Sequence, residues 1–180
     1  MPEAVRRRLA TVGEKLGASG ADVKWVAEEN LHITLKFLGY VEPDRMESVA
    51  RAVERVVDGM HGFDMTLSGV GAFPKVSRPS VIWVGVTKGG EELKQLADRT
   101  EDALERIGFA REPRGFSAHV TLGRVKSPRG RDRLCKLIES APEGRDEPVD
   151  SVKVGSVAVM KSDLYHSGPV YTVVKESDLG

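Results

Sequence analysis

The chain of 180 residues lacks the features that mark a secreted, membrane-spanning or disulfide-linked protein. Its single cysteine, Cys135, excludes a disulfide framework and a cysteine-based zinc site, and a reducing cytoplasm is the expected location. The longest apolar runs, such as residues 81–86, are far shorter than the roughly 20 residues of a membrane helix. No charged-then-apolar leader opens the sequence, so neither secretion nor membrane insertion is expected.

Net charge is also lacking, because 27 basic residues balance 27 acidic ones. The chain as a whole therefore has no attraction for nucleic acid, and binding to a polyanion would need a local patch. Residues 124–136 form one, with six basic side chains against one acidic side chain. A hydrophobic content of 40% and a charged content of 30% are typical of one globular domain and exclude a disordered, collagen-like or coiled-coil chain.

The order of the predicted elements repeats along the chain. Apolar residues at helical spacing predict helices over residues 3–17 and 91–107, and Pro43 and Pro128 each precede a further helix. Alternating patterns predict strands over residues 31–39, 63–70, 81–86, 117–125, 152–160 and 170–174. The turn between the second and third of these strands is predicted to carry Gly69, Gly71, Pro74 and Pro79.

Each half of the sequence thus reads helix, strand, proline-initiated helix, strand. We interpret the halves, approximately residues 1–80 and 81–180, as interleaved repeats of one α+β unit with antiparallel sheets in a single bilobal domain. In the second repeat a strand precedes the first helix, whereas nothing precedes Glu3 in the first. Either the fold is asymmetric or an N-terminal strand is missing from this chain.

Two of the four histidines lie in matching four-residue motifs. His32 begins His-Ile-Thr-Leu and His119 begins His-Val-Thr-Leu, in the corresponding strand of each repeat. From the threonine and leucine content, the probability of this coincidence is on the order of 5 × 10⁻⁵. Shared ancestry of the halves could produce the match, but the choice of histidine and threonine favours a function. The other two, His61 and His166, lack the motif and are predicted to be surface residues.

Strand geometry predicts that each motif histidine shares a face with the threonine two residues later. The apolar residues between them suit a core, so His32, Thr34, His119 and Thr121 are expected on an open face. Across a cleft, one imidazole could accept a proton from an attacking hydroxyl while the other protonates the departing oxygen. The threonine hydroxyls could hydrogen-bond the non-bridging oxygens of a phosphate between them. The pattern therefore predicts in-line displacement at phosphorus.

The paired motifs resemble the two-histidine (2H) phosphoesterase superfamily, specifically its branch of RNA 2′,3′-cyclic phosphodiesterases, also known as 2′-5′ RNA ligases. Similar segments follow in the family's order at residues 30–39 (NLHITLKFLG), 69–74 (GVGAFP), 81–86 (VIWVGV), 116–125 (FSAHVTLGRV) and 168–173 (GPVYTV). The resemblance implies a bilobal α+β fold with two antiparallel sheets and outer helices around a pseudo-twofold cleft. Family members usually begin with a short apolar strand, which this sequence does not show before Glu3.

The resemblance also implies an activity and roles for individual residues. The activity is the opening of RNA 2′,3′-cyclic phosphate ends to 2′-phosphates by His32 and His119, with ATP-independent 2′-5′ ligation as the reverse. Thr34 and Thr121 would bind the phosphate, and Arg124 resembles the family's phosphate-binding arginine after the second motif. Strand parity turns Arg124 away from His119 unless Gly123 provides a bulge. We assign His32 to the leaving 3′-oxygen and His119 to water, and the sequence leaves the reverse assignment open.

Other residues are candidates for RNA contacts, and each has a plainer interpretation. Lys36 shares parity with His32, but an exposed lysine on a strand needs no function. The basic stretch, which includes Lys126, could guide an RNA backbone or could be a solvated face. Three aromatic residues could stack a base or belong to the core, namely Phe73, Phe116 and Tyr171.

The leading prediction is a monomeric cytoplasmic hydrolase acting on RNA with 2′,3′-cyclic phosphate ends, tRNA fragments among them, or on nucleotides. Two alternatives stay open: a module that binds RNA ends without turnover, and a phosphodiesterase for small cyclic phosphates such as those of ADP-ribose. No cofactor and no membrane partner are expected. No metal is expected either, because a catalytic zinc normally has three protein ligands and the motifs offer no third.

Overall fold

The computed structural model describes residues 1–141, 148–165 and 168–180, so the prediction for His166 lies outside the described residues. The α-helices within these ranges are α1 (Glu3–Gly17), α2 (Met46–Val56), α3 (Gly90–Glu105) and α4 (Arg131–Ser140). The strands are β1 (Val23–Trp25), β2 (Phe63–Lys75), β3 (Arg78–Lys88), β4 (His119–Val125), β5 (Asp150–Val154), β6 (Ser156–Tyr165) and β7 (Gly168–Asp178). The predicted α+β class with antiparallel sheets is confirmed. None of the described helices is long and apolar enough to span a membrane.

The chain divides into two compact units that alternate along the sequence. Unit 1 comprises Met1–Ile33, Met65–Lys88 and Ala118–Val152. Unit 2 comprises Thr34–Asp64, Gly89–Ser117 and Lys153–Gly180. Each unit is therefore assembled from three separate segments of the sequence.

Unit 1 contains a five-stranded sheet with the order β1-β4-β3-β2-β5. Helix α1 packs on β4 and helix α4 packs on β3, so both helices cover the same face of the sheet. The apolar residues of α1 recur at helical spacing and are buried, as are the core-facing residues of the strands. Residues of this core include Leu9, Ile82, Val84, Val120 and Leu134. Alternation along the strands leaves the opposite face for polar and aromatic side chains.

Unit 2 contains the two-stranded antiparallel sheet of β6 and β7, with α2 and α3 packed together. One buried cluster consists of Val49, Ala52, Val53, Leu104 and Val159. A second cluster consists of Val56, Val57, Met60, Leu96 and Leu179. Unit 2 therefore builds its core chiefly from the apolar faces of α2 and α3.

The strand predicted over residues 31–39 is not formed. Within this segment Ile33 alone pairs with a described strand, through an isolated antiparallel bridge to Val120. A β-strand is stabilised by the backbone hydrogen bonds of a ladder, and the described residues provide no ladder for the segment after Ile33. An alternating sequence is therefore not sufficient for a strand at this place.

Two other boundaries differ from the predictions. The turn between β2 and β3 lies at residues 76–77, because β2 continues through Gly69 and Gly71 to Lys75. Gly69 lies at a register shift between Ser68 and Val70, where its φ of 79° accommodates a bulge. The strand predicted over residues 152–160 is two strands, β5 and β6, separated by Gly155.

Candidate functional site

The second motif lies on β4 of unit 1, with its polar side chains on one face. Val120 is fully buried against the helices, whereas His119 and Thr121 on either side of it are partly exposed. Across the β3–β4 ladder Gly85 is opposite His119 and Trp83 is opposite Thr121. The alternation expected from the sequence is therefore present, and the motif lies on the face opposite the helical core.

The first motif meets the second through the isolated bridge between Ile33 and Val120. Because this bridge is antiparallel, His32 lies opposite Thr121 on the neighbouring chain segment. The pairing of these backbones within unit 1 thus places His32 and Ile33 of the first motif beside the second motif. Thr34 follows directly as the first residue of unit 2, and its contact with a bound phosphate stays a prediction.

A backbone contact orients the imidazole of His32. Its Nδ1 lies 2.7 Å from the carbonyl oxygen of Asn30. A carbonyl oxygen can only accept a hydrogen bond, so Nδ1 carries the proton and Nε2 is the nitrogen that can exchange a proton with a substrate. The side chain is exposed, which leaves the ring accessible.

Arg124 lies on the same face as His119 because β4 contains a bulge. Trp83 pairs with Thr121, but the next residue of β3, Ile82, pairs with Gly123, so that Leu122 is an additional residue. The shift reverses the parity of the strand after Leu122. Arg124 therefore points to the same face of the sheet as His119 and Thr121, which we call the motif face. A Cβ atom at Gly123 would lie 2.7 Å from Val23 Cγ1 and 2.9 Å from Trp25 Cε3, so a side chain at this position would collide with those of β1.

A second cation lies beside Arg124 and was missed by the sequence analysis. Lys24 of β1 pairs directly with Arg124, and both side chains are exposed. Lys126 follows two residues after Arg124 and is exposed as well. Strand β1 has only three residues, which is too short for a clear alternation signal, although the pattern Val-Lys-Trp is consistent with one.

Two aromatic rings contact His119. The Phe73 ring meets the imidazole edge-on at 5.1 Å between centroids, and the Trp83 ring lies 6.5 Å from it. Phe73 was among the predicted base contacts, whereas Trp83 was missed. The period-2 pattern of β3 could have identified Trp83, because it places this residue on the face opposite the buried Ile82 and Val84.

Lys36, which the sequence analysis offered as an RNA contact, has a structural partner instead. Its ammonium lies 2.5 Å from Glu101 Oε2 and donates to the Ala110 carbonyl oxygen at 2.7 Å. The side chain is only 3% exposed, and its charge is paired with that of Glu101 within unit 2. This corrects the prediction. Strand parity predicted an exposed Lys36, but the strand is not formed and Lys36 packs against α3 instead.

Three further residues named from the sequence, Phe116, Tyr171 and His61, lie in unit 2. Phe116 and Tyr171 are half-buried residues of unit 2, and their contact with a base stays a prediction. His61 is exposed, with Nδ1 3.3 Å from the Gly180 carbonyl oxygen, which confirms the surface interpretation. Across the ranges 1–141, 148–165 and 168–180, no three histidine, cysteine or carboxylate side chains come together as a metal site.

Comparisons with known proteins match almost the whole chain. The family model described as LigT like Phosphoesterase matches residues 1–83 and 84–171. The chain is 39% identical over 171 residues to the RNA 2′,3′-cyclic phosphodiesterase of Aeropyrum pernix, covering 94% of this chain and 93% of that protein. It is 34% identical over 172 residues to the protein of the same name from Methanothermobacter thermautotrophicus, covering 96% and 91%.

Solved structures are similar over almost the whole chain. A Thermus thermophilus protein superposes with a TM-score of 0.80 at 26% identity, covering 99% of this chain and 93% of that one. Apo LigT of Escherichia coli superposes with a TM-score of 0.75 at 26% identity, covering 99% and 92%. The resemblance stated from the two histidine motifs is confirmed.

Proposed function

Because the chain belongs to the LigT-like phosphoesterase family, we propose that it hydrolyses the 2′,3′-cyclic phosphate at RNA ends, with His32 and His119 as the catalytic pair. The observation that carries the proposal is the Ile33–Val120 bridge, which joins the two motif segments in antiparallel register. Relatives named RNA 2′,3′-cyclic phosphodiesterase at 34% and 39% identity support the substrate. The proposal extends to a cytoplasmic monomer and to ATP-independent 2′-5′ ligation as the reverse reaction.

The two imidazoles divide the proton transfers of the hydrolysis. His119 accepts a proton from water as the water oxygen bonds to phosphorus, and the bond from phosphorus to the 3′-oxygen breaks. His32 gives the proton on Nε2 to the departing 3′-oxygen, which leaves a 2′-phosphate and a 3′-hydroxyl. The hydrogen bond from Nδ1 to Asn30 supports this role, because it engages Nδ1 and so makes Nε2 the nitrogen that exchanges a proton. After one turnover His119 has gained a proton and His32 has lost one. Both histidines return to their starting protonation states by exchanging protons with solvent.

Hydroxyl groups and cations stabilise the phosphorane-like transition state. Thr121, opposite His32, donates to a non-bridging oxygen, and Thr34 does so from the first motif. Arg124 and its cross-strand neighbour Lys24 supply positive charge where negative charge accumulates. Lys126, Phe73, Phe116 and Tyr171 are proposed contacts for the rest of the RNA. All these groups are cations or hydrogen-bond donors, apart from the aromatic rings, so the site suits an anionic substrate.

The test uses an oligonucleotide that ends in a 2′,3′-cyclic phosphate. Wild-type protein should convert it to the 2′-phosphate, identified by its mass and by ³¹P NMR. His32→Ala and His119→Ala should each lower the rate by about 10²–10⁴-fold, whereas the matched control His61→Ala, an exposed histidine outside the motifs, should keep it. A wild-type protein that leaves the cyclic group intact, or a motif variant that keeps near-normal turnover, contradicts the proposal.

A further inference from the structure

We propose that Trp83, together with Phe73, forms the platform on which the base of the 2′,3′-cyclic nucleotide stacks beside His119. This inference rests on the proposed function, and it assigns a base-binding residue that neither motif contains. The chemical class of the ligand is a nucleotide with a planar aromatic base next to its cyclic phosphate.

The indole of Trp83 packs directly on two glycines of the motif face, Gly71 and Gly85. A Cβ atom at Gly71, directly across the β2–β3 ladder, would lie 2.9 Å from Cε2 of the indole and closer still to its next two ring atoms. A Cβ atom at Gly85, two residues further along β3, would lie 3.2 Å from Cζ3. The six-membered ring thus spans both glycines, which lets it lie along the sheet instead of standing away from it.

The indole is held in this place by the packing of its ring and not by a hydrogen bond. Its Nε1 is buried and makes no hydrogen bond within the described part of the chain. Buried tryptophan N–H groups usually find a partner, so the place of this ring is determined by its shape against the glycines. The residue as a whole is half-buried, so part of its surface is accessible to a ligand.

Phe73 and His119 flank this surface. The Phe73 ring lies 5.3 Å from Trp83 at an interplanar angle of 38°, and the His119 ring lies 6.5 Å from Trp83 at 60°. An aromatic surface beside a catalytic imidazole suits a nucleotide, since one ribose joins its base to its cyclic phosphate. Proteins commonly bind single-stranded RNA by stacking its bases on such rings.

The experiment compares two substrates in two variants. The substrates are adenosine 2′,3′-cyclic phosphate and ribose 2′,3′-cyclic phosphate, which lacks the base. The ratio of their kcat/KM values measures what the base contributes. Trp83→Leu should lower this ratio about tenfold or more, as expected for loss of one stacked base, and Trp83→Phe should lower it less. Trp25→Phe is the matched control, because Trp25 packs on Gly13 and Gly17 of α1 on the opposite face and should keep the ratio.

A structural role for Trp83 gives a different result. If the ring merely supported His119, Trp83→Leu would slow both substrates equally and leave the ratio unchanged, which would overturn the proposal. A binding measurement makes the test independent of turnover and of how Trp83→Leu folds. In Trp25→Phe, Trp83 is the remaining tryptophan of the two in the sequence. Its fluorescence should be quenched by adenosine 2′-phosphate and not by ribose 2-phosphate.

Absence of quenching by adenosine 2′-phosphate contradicts the platform even if the enzyme is active. Conversely, quenching by the nucleotide in a protein that hydrolyses neither cyclic phosphate contradicts the proposed function and leaves the base-binding site supported. The two proposals therefore fail by different observations.

Discussion

At the scale of single residues, glycine positions decide where the large side chains of the motif face lie. Gly71 and Gly85 leave space for the Trp83 indole, and Gly123 leaves space for Val23 and Trp25 beside the bulge that turns Arg124. These roles depend on contacts between strands, and a glycine in a sequence gives no sign of which neighbour occupies its empty side.

Gly71→Ala should therefore destabilise the protein. The new Cβ would overlap the Trp83 ring, and the indole or the β2 backbone would have to move. Overpacking of this kind costs about 1–3 kcal/mol of the free energy of unfolding, measurable by urea denaturation. Gly115→Ala is the matched control, because nothing lies within 4 Å of its added Cβ and its φ is ordinary. Equal stability of the two variants would contradict the close contact between Gly71 and Trp83.

Cys135 should react slowly with thiol reagents at neutral pH. Burial raises the pKa of its thiol, with the nearby carboxylates of Glu139 and Asp132 adding to the effect. Its Sγ also donates to the Val76 carbonyl oxygen at 2.9 Å. A raised pKa leaves less thiolate, so the alkylation rate should rise only at a higher pH than in the urea-unfolded chain. Alkylation by iodoacetamide followed by mass spectrometry checks this, and equal rate–pH profiles in both states would contradict it.

At the scale of elements, the segment after His32 is fastened to α3 by a buried ion pair and not by a β-ladder. Lys36 and Glu101 are 65 residues apart in sequence, and their side chains are 3% and 13% exposed. The Glu101 carboxylate also accepts a hydrogen bond from the Glu112 N–H at 3.3 Å. This ion pair and its additional partners hold Lys36 against α3 within unit 2.

Removing one member of this pair should be costly. Lys36→Met leaves the Glu101 carboxylate buried without its cation, which is expected to lower the free energy of unfolding by about 3–5 kcal/mol. The double variant Lys36→Met with Glu101→Leu removes both charges and should be more stable than Lys36→Met alone. Lys94→Met is the matched control, because its pair with Asp98 is solvent-exposed and should cost at most about 1 kcal/mol. Equal losses at Lys36 and Lys94, measured by urea unfolding, would contradict a buried pair.

At the scale of the whole molecule, the proposed chemistry needs no metal ion. Cations and imidazoles surround the motif face, and a divalent cation would be repelled by Arg124 and Lys24. Hydrolysis of the cyclic phosphate should therefore be unchanged, within about twofold, after dialysis against EDTA. Loss of activity on chelation, restored by zinc or magnesium, would contradict both this expectation and the acid–base roles of His32 and His119.

Features that depend on neighbouring residues follow from the order of the amino acids. Helical spacing predicted α1 at about Glu3–Gly17, where it lies, and strand parity predicted the shared face of His119 and Thr121. Both follow from local backbone geometry, which repeats every 3.6 or 2 residues whatever the rest of the fold does. The doubled motif likewise identified the family, because its chemistry requires particular side chains in a short stretch.

Features that depend on partners far away in the chain follow from the fold and not from the local pattern. The bulge that turns Arg124 depends on its register with β3, and the burial of Lys36 depends on Glu101. Residues 34–39 have the pattern of a strand but no ladder among the described residues, and Trp83 becomes a platform only where Gly71 lies opposite it. The physical reason is the same in each case: periodicity determines which way a side chain points, whereas packing determines what it meets.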